Sequence, residues 1–177
     1  MTIKYPKNWI LITYSVPDEP SRIRVAVWRA IKSLGAITIQ RSVYAMPDSE
    51  SNRKKIEELT KKTEAGYKIF FAQAANEELN GEIIERGRKE REEEYGEIIE
   101  KCSDFLKDIN HEISRKNFTY EELEENEADY SKFIRWLQEA EERDWLDLPI
   151  KREVISRIEE CRKILDDFSL EVEKHSK

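Results

Sequence analysis

Two groups of residues have the types and spacing to do chemistry. The first is cationic. Arg22, Arg29 and Lys32 fall away from the apolar stripe Ile23, Val27, Ile31 and Leu34, and Arg24 lies near its edge. Arg53, Lys54, Lys55, Lys61 and Lys62 open and close a second helical stretch. Clustered Lys and Arg suit a phosphate backbone, and binding through them falls steeply with salt. Trp28 and Tyr44 could stack on bases or ligand rings, although aromatics beside an apolar stripe belong more often to a core. The second group is Asp108 and His111 at i, i+3, half of a di-iron carboxylate motif. A bundle metal site needs two such pairs and further inward Glu, and the second pair is missing. The pair therefore reads as an exposed helix face, with no metal.

Other catalytic signals are thin. No Gly-rich phosphate loop, GxSxG elbow or HExxH is present, so the expectation is a non-enzymatic protein with no cofactor. Cys102 and Cys161 have no CxxC partner and read as small core residues on helices. Trp136 and Trp145 read as bundle packing. The acidic runs Glu90 to Glu94 and Glu121 to Glu127 read as solvated helix faces.

The elements that must position the cations alternate between strand and helix patterns. Asn8 to Val16 is apolar and rich in aromatic and β-branched residues, which predicts a strand. Pro17 and Pro20 end it, and Ser21 can cap the helix that Gly35 closes. Ala36 to Gln40 and Ser42 to Met46 read as two strands with Arg41 at the turn, a single bent strand being the alternative. After Pro47, Asp48 or Ser49 can cap a helix through Glu64, and Tyr67 to Ala74 supplies a last strand. The order βαββαβ is that of a ferredoxin-like fold.

Beyond Asn76 the pattern changes. There is no proline between Pro47 and Pro149, and Tyr95, Ile98, Cys102, Phe105, Ile109 and Ile113 step by 3 or 4. Thr119 and Glu122 form a capping box, and Val154, Ile158, Cys161, Leu165, Phe168 and Val172 repeat at 4-3-4-3-4. The expectation is an antiparallel three-helix bundle, with a coiled-coil dimer as the competing use of the same spacing. Charge divides at the same place. Residues 1–76 hold 13 Lys+Arg and 7 Asp+Glu, a net +6, while residues 77–177 hold 18 and 31, a net −13. The predicted organisation is thus α+β: a ferredoxin-like basic domain over 1–76 followed by an acidic three-helix bundle over 77–177. The 177 residues contain no apolar stretch of membrane-spanning length and no signal-peptide pattern. The expectation is a cytoplasmic protein.

Several motifs also carry a family resemblance. The run Trp9 to Pro17, then Glu19-Pro-Ser, then Arg24 to Ala36 with Trp28, Arg29 and Lys32, resembles the N-terminal domain of ChrB-type chromate-resistance proteins. So does Gln40 to Pro47, and further on Arg88 to Tyr95 and Phe118 to Leu123. The resemblance implies a regulator that controls chromate-resistance genes by binding DNA and responding to chromate, with Arg24, Trp28, Arg29, Lys32 and Gln40 as the motif residues. Family regulators carry a further C-terminal domain, and sensing located there would leave these residues to bind DNA or a partner only. A fainter resemblance reaches the ferredoxin-fold nuclease subunit of CRISPR adaptation and a module of phenylacetate-catabolism repressors. Where the nuclease group ends its first strand with a metal-holding Asp, this chain has Ser15, with Asp18 nearby.

The expected sites are therefore a DNA- or anion-binding set of Arg24, Arg29, Lys32, Arg41, Arg53 and Lys54, with Trp28 and Gln40 beside it. Chromate, a doubly charged oxyanion, would be met by Arg24 with Arg29 or Arg41, since Asp18 and Glu19 stand before the helix start at Ser21. The expected partners are DNA, chromate and a second copy, the dimer forming through the bundle or a sheet edge. One alternative is an interaction protein whose acidic bundle engages a basic partner without DNA. The other is a metal-dependent nuclease using Asp18.

Overall fold

In a computed structural model, the described residues are 5–16, 21–62 and 66–175. Asp18, Glu19 and Glu64, and the side chains of Ser21 and Lys62, lie outside the described residues. Among the described residues the chain is mixed α+β, with a four-stranded antiparallel sheet and five helices. It divides into two compact units, Met1–Arg91 with Glu142–Leu146, and Glu92–Glu141 with Asp147–Lys177.

In the first unit, β1 (Asn8–Ser15) leads to α1 (Ser21–Ser33), β2 (Ile37–Gln40), β3 (Val43–Pro47), α2 (Glu50–Lys62) and β4 (Gly66–Gln73). The sheet order is β2-β3-β1-β4. Strand alternation gives β1 two working faces. Ile10 and Ile12 meet Tyr44 and Met46 of β3, Val27 and Ile31 of α1, and Ile56 and Leu59 of α2 in one apolar cluster. Both helices thus cover the same sheet face. Trp9 points the other way, edge-on to Trp145 at 5.6 Å, and its Nε1 donates to Asn80 Oδ1 at 2.9 Å.

The turns are set by local chemistry. Gly35 ends α1 at φ 82, and a Cβ there would come within 3.0 Å of the Arg143 carbonyl oxygen. Arg41 and Ser42 form a tight turn between β2 and β3, with Ser42 at φ 63. Two separate strands are therefore present here rather than a single bent one. Ser49 caps α2, its hydroxyl accepting from the Asn52 N–H at 3.2 Å.

A third helix, α3 (Glu77–Arg115), runs 39 residues. The division expected at 76/77 falls just before it, whereas the compact units divide within it, after Arg91. Its first turns belong to the first unit, where Gly87 lets the Trp145 ring approach; a Cβ at Gly87 would lie 2.6 Å from that ring. Trp145, expected in the bundle, is therefore part of the first unit. Glu90 likewise departs from its expected place on a solvated face, being about three-quarters buried beside the 4% exposed Arg91.

The second unit is built from the rest of α3 with α4 (Tyr120–Arg143) and α5 (Lys151–His175). The expected stripes are buried, with Ile113 at the end of the α3 stripe only partly so: Tyr95, Ile98, Cys102, Phe105 and Ile109 on α3, and all six apolar positions of α5 from Val154 to Val172. Phe105 packs edge-on against Phe133 of α4 at 5.5 Å, and Cys161 Sγ reaches the Cys102 carbonyl at 3.6 Å. Both cysteines are buried and free. Thr119 caps α4 through the Glu122 N–H at 3.3 Å. Among the described residues no helix is long and apolar enough to cross a membrane.

Candidate nucleic-acid interface

The sequence of α1 contains four basic residues and no acidic one. Burying Val27 and Ile31 against the sheet turns the rest of the helix outward. Arg22 and Arg29 are exposed, and neither has an ion-pair partner among the described residues. Trp28, next to Arg29 and about 100° around the helix from it, is 45% exposed, with Val25 at 43% and Ile23 at 39%. Ile23, assigned by its spacing to the buried stripe, is 39% exposed, whereas Val27 and Ile31 one and two turns further on are buried. Trp28 is exposed too, contrary to the commoner expectation for an aromatic beside such a stripe. Tyr44 is core, at 4% exposure, and offers no stacking surface.

Other members of the expected set are engaged within the protein. Lys32 forms a partly buried ion pair with Glu90, whose second carboxylate oxygen accepts from the Thr38 N–H at 3.0 Å. The Arg91 guanidinium lies 3.7 Å from the same carboxylate. Arg53 holds Asp48 in a two-pronged contact, Nε to Oδ1 at 2.6 Å and Nη2 to Oδ2 at 2.7 Å, and its guanidinium stands 4.6 Å over the Phe71 ring. That contact keeps the Asp48 carboxyl below the usual carboxylate range. Lys54 pairs with Glu50 at 2.8 Å and Lys61 with Glu57 at 2.7 Å, both one helical turn away. Gln40 is exposed at the end of β2, beside the irregular register between Thr38 and Gln40.

The remaining two cations of the set converge. Arg24 and Arg41 line one cleft at the end of β1, together with Tyr14, Ser15, Val16 and Ser42. Arg41 with Arg24 was one of two anticipated pairings; Arg29 does not line this cleft. Sequence reading missed Glu90 as the partner of Lys32, which stands 58 residues away with no local signal. It also missed the hydroxyls of Tyr14 and Ser42, for which the only sequence hint is their place at a strand end and a turn.

The second unit has a cleft of its own, about 590 Å³, between α3 and α4. Phe105, Phe133 and Trp136 line it along with Asp104, Asp108, Glu112, Glu122, Glu125 and Asp129. Asp108 thus faces an acidic groove, while His111 is exposed outside it.

The family described as Protein ChrB, N-terminal, matches residues 24–177. Protein ChrB of Cupriavidus metallidurans is 30% identical over 98 residues, which is 54% of this chain and 30% of that protein. The chain therefore spans well under half the length of that curated relative. No solved structure matches it. With the family match covering most of the chain and including every motif from Arg24 onward, this chain belongs to the ChrB family, the chromate-resistance family whose N-terminal domain its motifs resemble.

Proposed function

We propose that this chain is a non-enzymatic, DNA-binding transcriptional regulator of chromate-resistance genes, acting in the cytoplasm as a homodimer and responding to chromate. The observation that carries the reading is the outer surface of α1, where Arg22 and Arg29 share one face at i, i+7 and Trp28, about 100° around the helix from them, is also exposed, with no acidic residue in the helix. Arginines neutralise phosphates and an exposed indole stacks on bases, so this outer surface has both halves of a nucleic-acid surface. Lys32, Arg53 and Lys54 take supporting places at most, since carboxylates already hold them. Family membership supports the link to chromate.

The element order and the sheet order β2-β3-β1-β4 support a ferredoxin-like first domain, and the mutual burial of α3, α4 and α5 supports a three-helix bundle after it. The sheet-edge strand β4, with Phe70 and Phe71 at 51% and 60% exposure, supports the homodimer. The test is fluorescence anisotropy of the purified protein against its own upstream DNA and a scrambled duplex, across a salt series with and without chromate. Selective binding that chromate weakens is the expected result. No binding at low salt would exclude the α1 face as a DNA surface.

A second reading has its own observation. The acidic cleft of the second unit, with its aromatic lining, suits a basic protein segment. If that is the protein's role, changing Asp108, Glu125 and Asp129 to their amides removes a captured partner while DNA plays no part. For the nuclease reading, Asp18 lies outside the described residues, and Mg²⁺-dependent cleavage lost in Asp18→Ala would be its sign.

A further inference from the structure

The whole sequence contains 2 cysteines, 59 residues apart, and folding brings them together. Cys102 belongs to the buried stripe of α3 and Cys161 to that of α5, both within the second unit. Cys161 Sγ lies 3.6 Å from the Cys102 carbonyl oxygen, and the two thiols are within hydrogen-bond reach of each other. Both are fully buried and free. Every other buried member of the two stripes is Val, Leu, Ile, Phe or Tyr. Periodicity asks only for apolar residues here, and Ala would fill a narrow layer without a reactive atom. This layer holds two oxidisable sulfurs instead.

A disulfide needs close approach of its two residues. The Cα atoms stand roughly 4.4–6.8 Å apart and the Cβ atoms roughly 3.5–4.5 Å, which facing helices reach only where they pack through small side chains. A sulfur 3.6 Å from the other cysteine's backbone marks such a place. The surroundings also give the two thiols different parts. The hydrogen bond from Cys161 holds the Cys102 thiol below its ordinary value, with burial opposing it and Arg157 adding to it. Sharing that hydrogen bond, and then burial, push the Cys161 thiol up. Cys102 is therefore the sulfur that ionises first, and the thiolate is the nucleophile.

We propose that Cys102 and Cys161 form a reversible oxidation site, a dithiol that hydrogen peroxide converts to a disulfide linking α3 to α5. In the first step the Cys102 thiolate attacks one peroxide oxygen. The O–O bond breaks, hydroxide leaves and takes up a proton as water, and Cys102 becomes a sulfenic acid. In the second step the Cys161 sulfur attacks the Cys102 sulfur. The S–O bond breaks, and the hydroxyl leaves as water with the proton of Cys161. Two thiols and one peroxide thus give one disulfide and two waters: the sulfurs lose two electrons and the peroxide oxygens gain them. Burial sets the pace, because peroxide, close to water in size, enters through local openings of the bundle. In a reducing compartment the pair rests as the dithiol and closes only under oxidative challenge. The site is independent of the DNA reading and is measured without DNA.

For the test, the reduced full chain is treated with hydrogen peroxide under native conditions, unfolded in the presence of an alkylating agent and weighed. The expected product has lost two hydrogens, takes up no alkylating agent and remains a single chain. Digestion yields two peptides joined through Cys102 and Cys161, and dithiothreitol restores both thiols. A link between residues 59 apart should raise the melting temperature by roughly 5–15 °C. Cys161→Ala, which leaves the attacking thiol without its partner, should accumulate a sulfenic acid that dimedone traps. Cys102→Ala should trap at least about fivefold less. Equal trapping in the two variants would overturn the assigned order of attack. The proposal as a whole is overturned if the native chain keeps both thiols at a peroxide concentration that oxidises the urea-unfolded chain, because the pair would then be inert core. That comparison uses the wild-type chain, so it decides even where a variant fails to fold. A product linked between two chains would overturn it equally.

Discussion

The two helices that cover one face of the sheet are both basic, yet they hold their charge differently. α1 has four basic residues and no acidic one, while α2 has five basic and three acidic. On α2 the acids stand one turn from the bases, so Lys54 and Lys61 close ion pairs along their own helix, and Asp48 before its first turn takes Arg53. On α1 Lys32 meets the carboxylate of the distant Glu90, while Arg22 and Arg29 have no ion-pair partner among the described residues. The comparison teaches that density of positive charge in a sequence does not measure charge available to a ligand. Spacing to the nearest acid, in the chain and in the fold, decides availability.

The largest effect that would break this comparison is on DNA affinity. Arg22→Gln combined with Arg29→Gln is expected to weaken binding by about 10- to 100-fold and to reduce the salt slope by about 2. The matched pair on α2, Lys54→Gln with Lys61→Gln, should change affinity less than about twofold, because those ammoniums already spend their charge on carboxylates. Equal losses from the two pairs, read by anisotropy across a salt series, would erase the distinction between the helices.

Next in size is the Lys32 pair. Glu90→Gln leaves Lys32 partly buried without a counter-charge and weakens the acceptor of the Thr38 N–H. A loss of about 1–3 kcal/mol is expected, which in a chain of this length lowers Tm by roughly 2–10 °C. An unchanged melting temperature would mean that the pair contributes nothing to the fold and that Lys32 is as available as Arg29.

A smaller, pH-dependent effect sharpens the α2 side. The Arg53 hydrogen bonds lower the Asp48 carboxyl below its ordinary value. A depressed carboxylate adds stability above its unfolded pKa and loses it as pH falls through the folded one. The contribution is thus full at neutral pH, begins to fade near the unfolded value of about 4, and is lost as pH falls through the lower folded one. Asp48→Asn should lower the melting temperature slightly at pH 7, by a difference that shrinks as pH falls below about 4. The smallest change is at the turn: Ser42→Gly relieves the left-handed backbone and should raise stability by up to about 1 kcal/mol in a denaturant titration.

Much of the fold was legible because local patterns match local structure. The apolar run of β1, the stop at Gly35, the break at Arg41 and the caps at Ser49 and Thr119 all depend on residues within a few positions of each other. The α3 and α5 stripes were legible for the same reason. What periodicity could not show is which neighbour a stripe meets. Trp145 reads as one more apolar residue near a helix end, and only the fold stands it against Trp9, with Gly87 leaving the space. Likewise nothing near Ile23 or Trp28 says that both side chains stay exposed while Val27 and Ile31 are buried.

The site divides along the same line. By itself the sequence determined that the first 76 residues are basic and the remainder acidic, that Arg and Lys gather on two helices, and that the motifs are those of the ChrB family. Composition, periodicity and motif spacing are properties of neighbouring residues, so they are legible without coordinates. Only the tertiary structure decided which of those cations meet a distant partner. It brought Glu90 to Lys32 across 58 residues, and it set Arg24 and Arg41, from a helix and a turn, in one lining around the end of β1. Electrostatic availability depends on distance in space, and chain closure sets that distance.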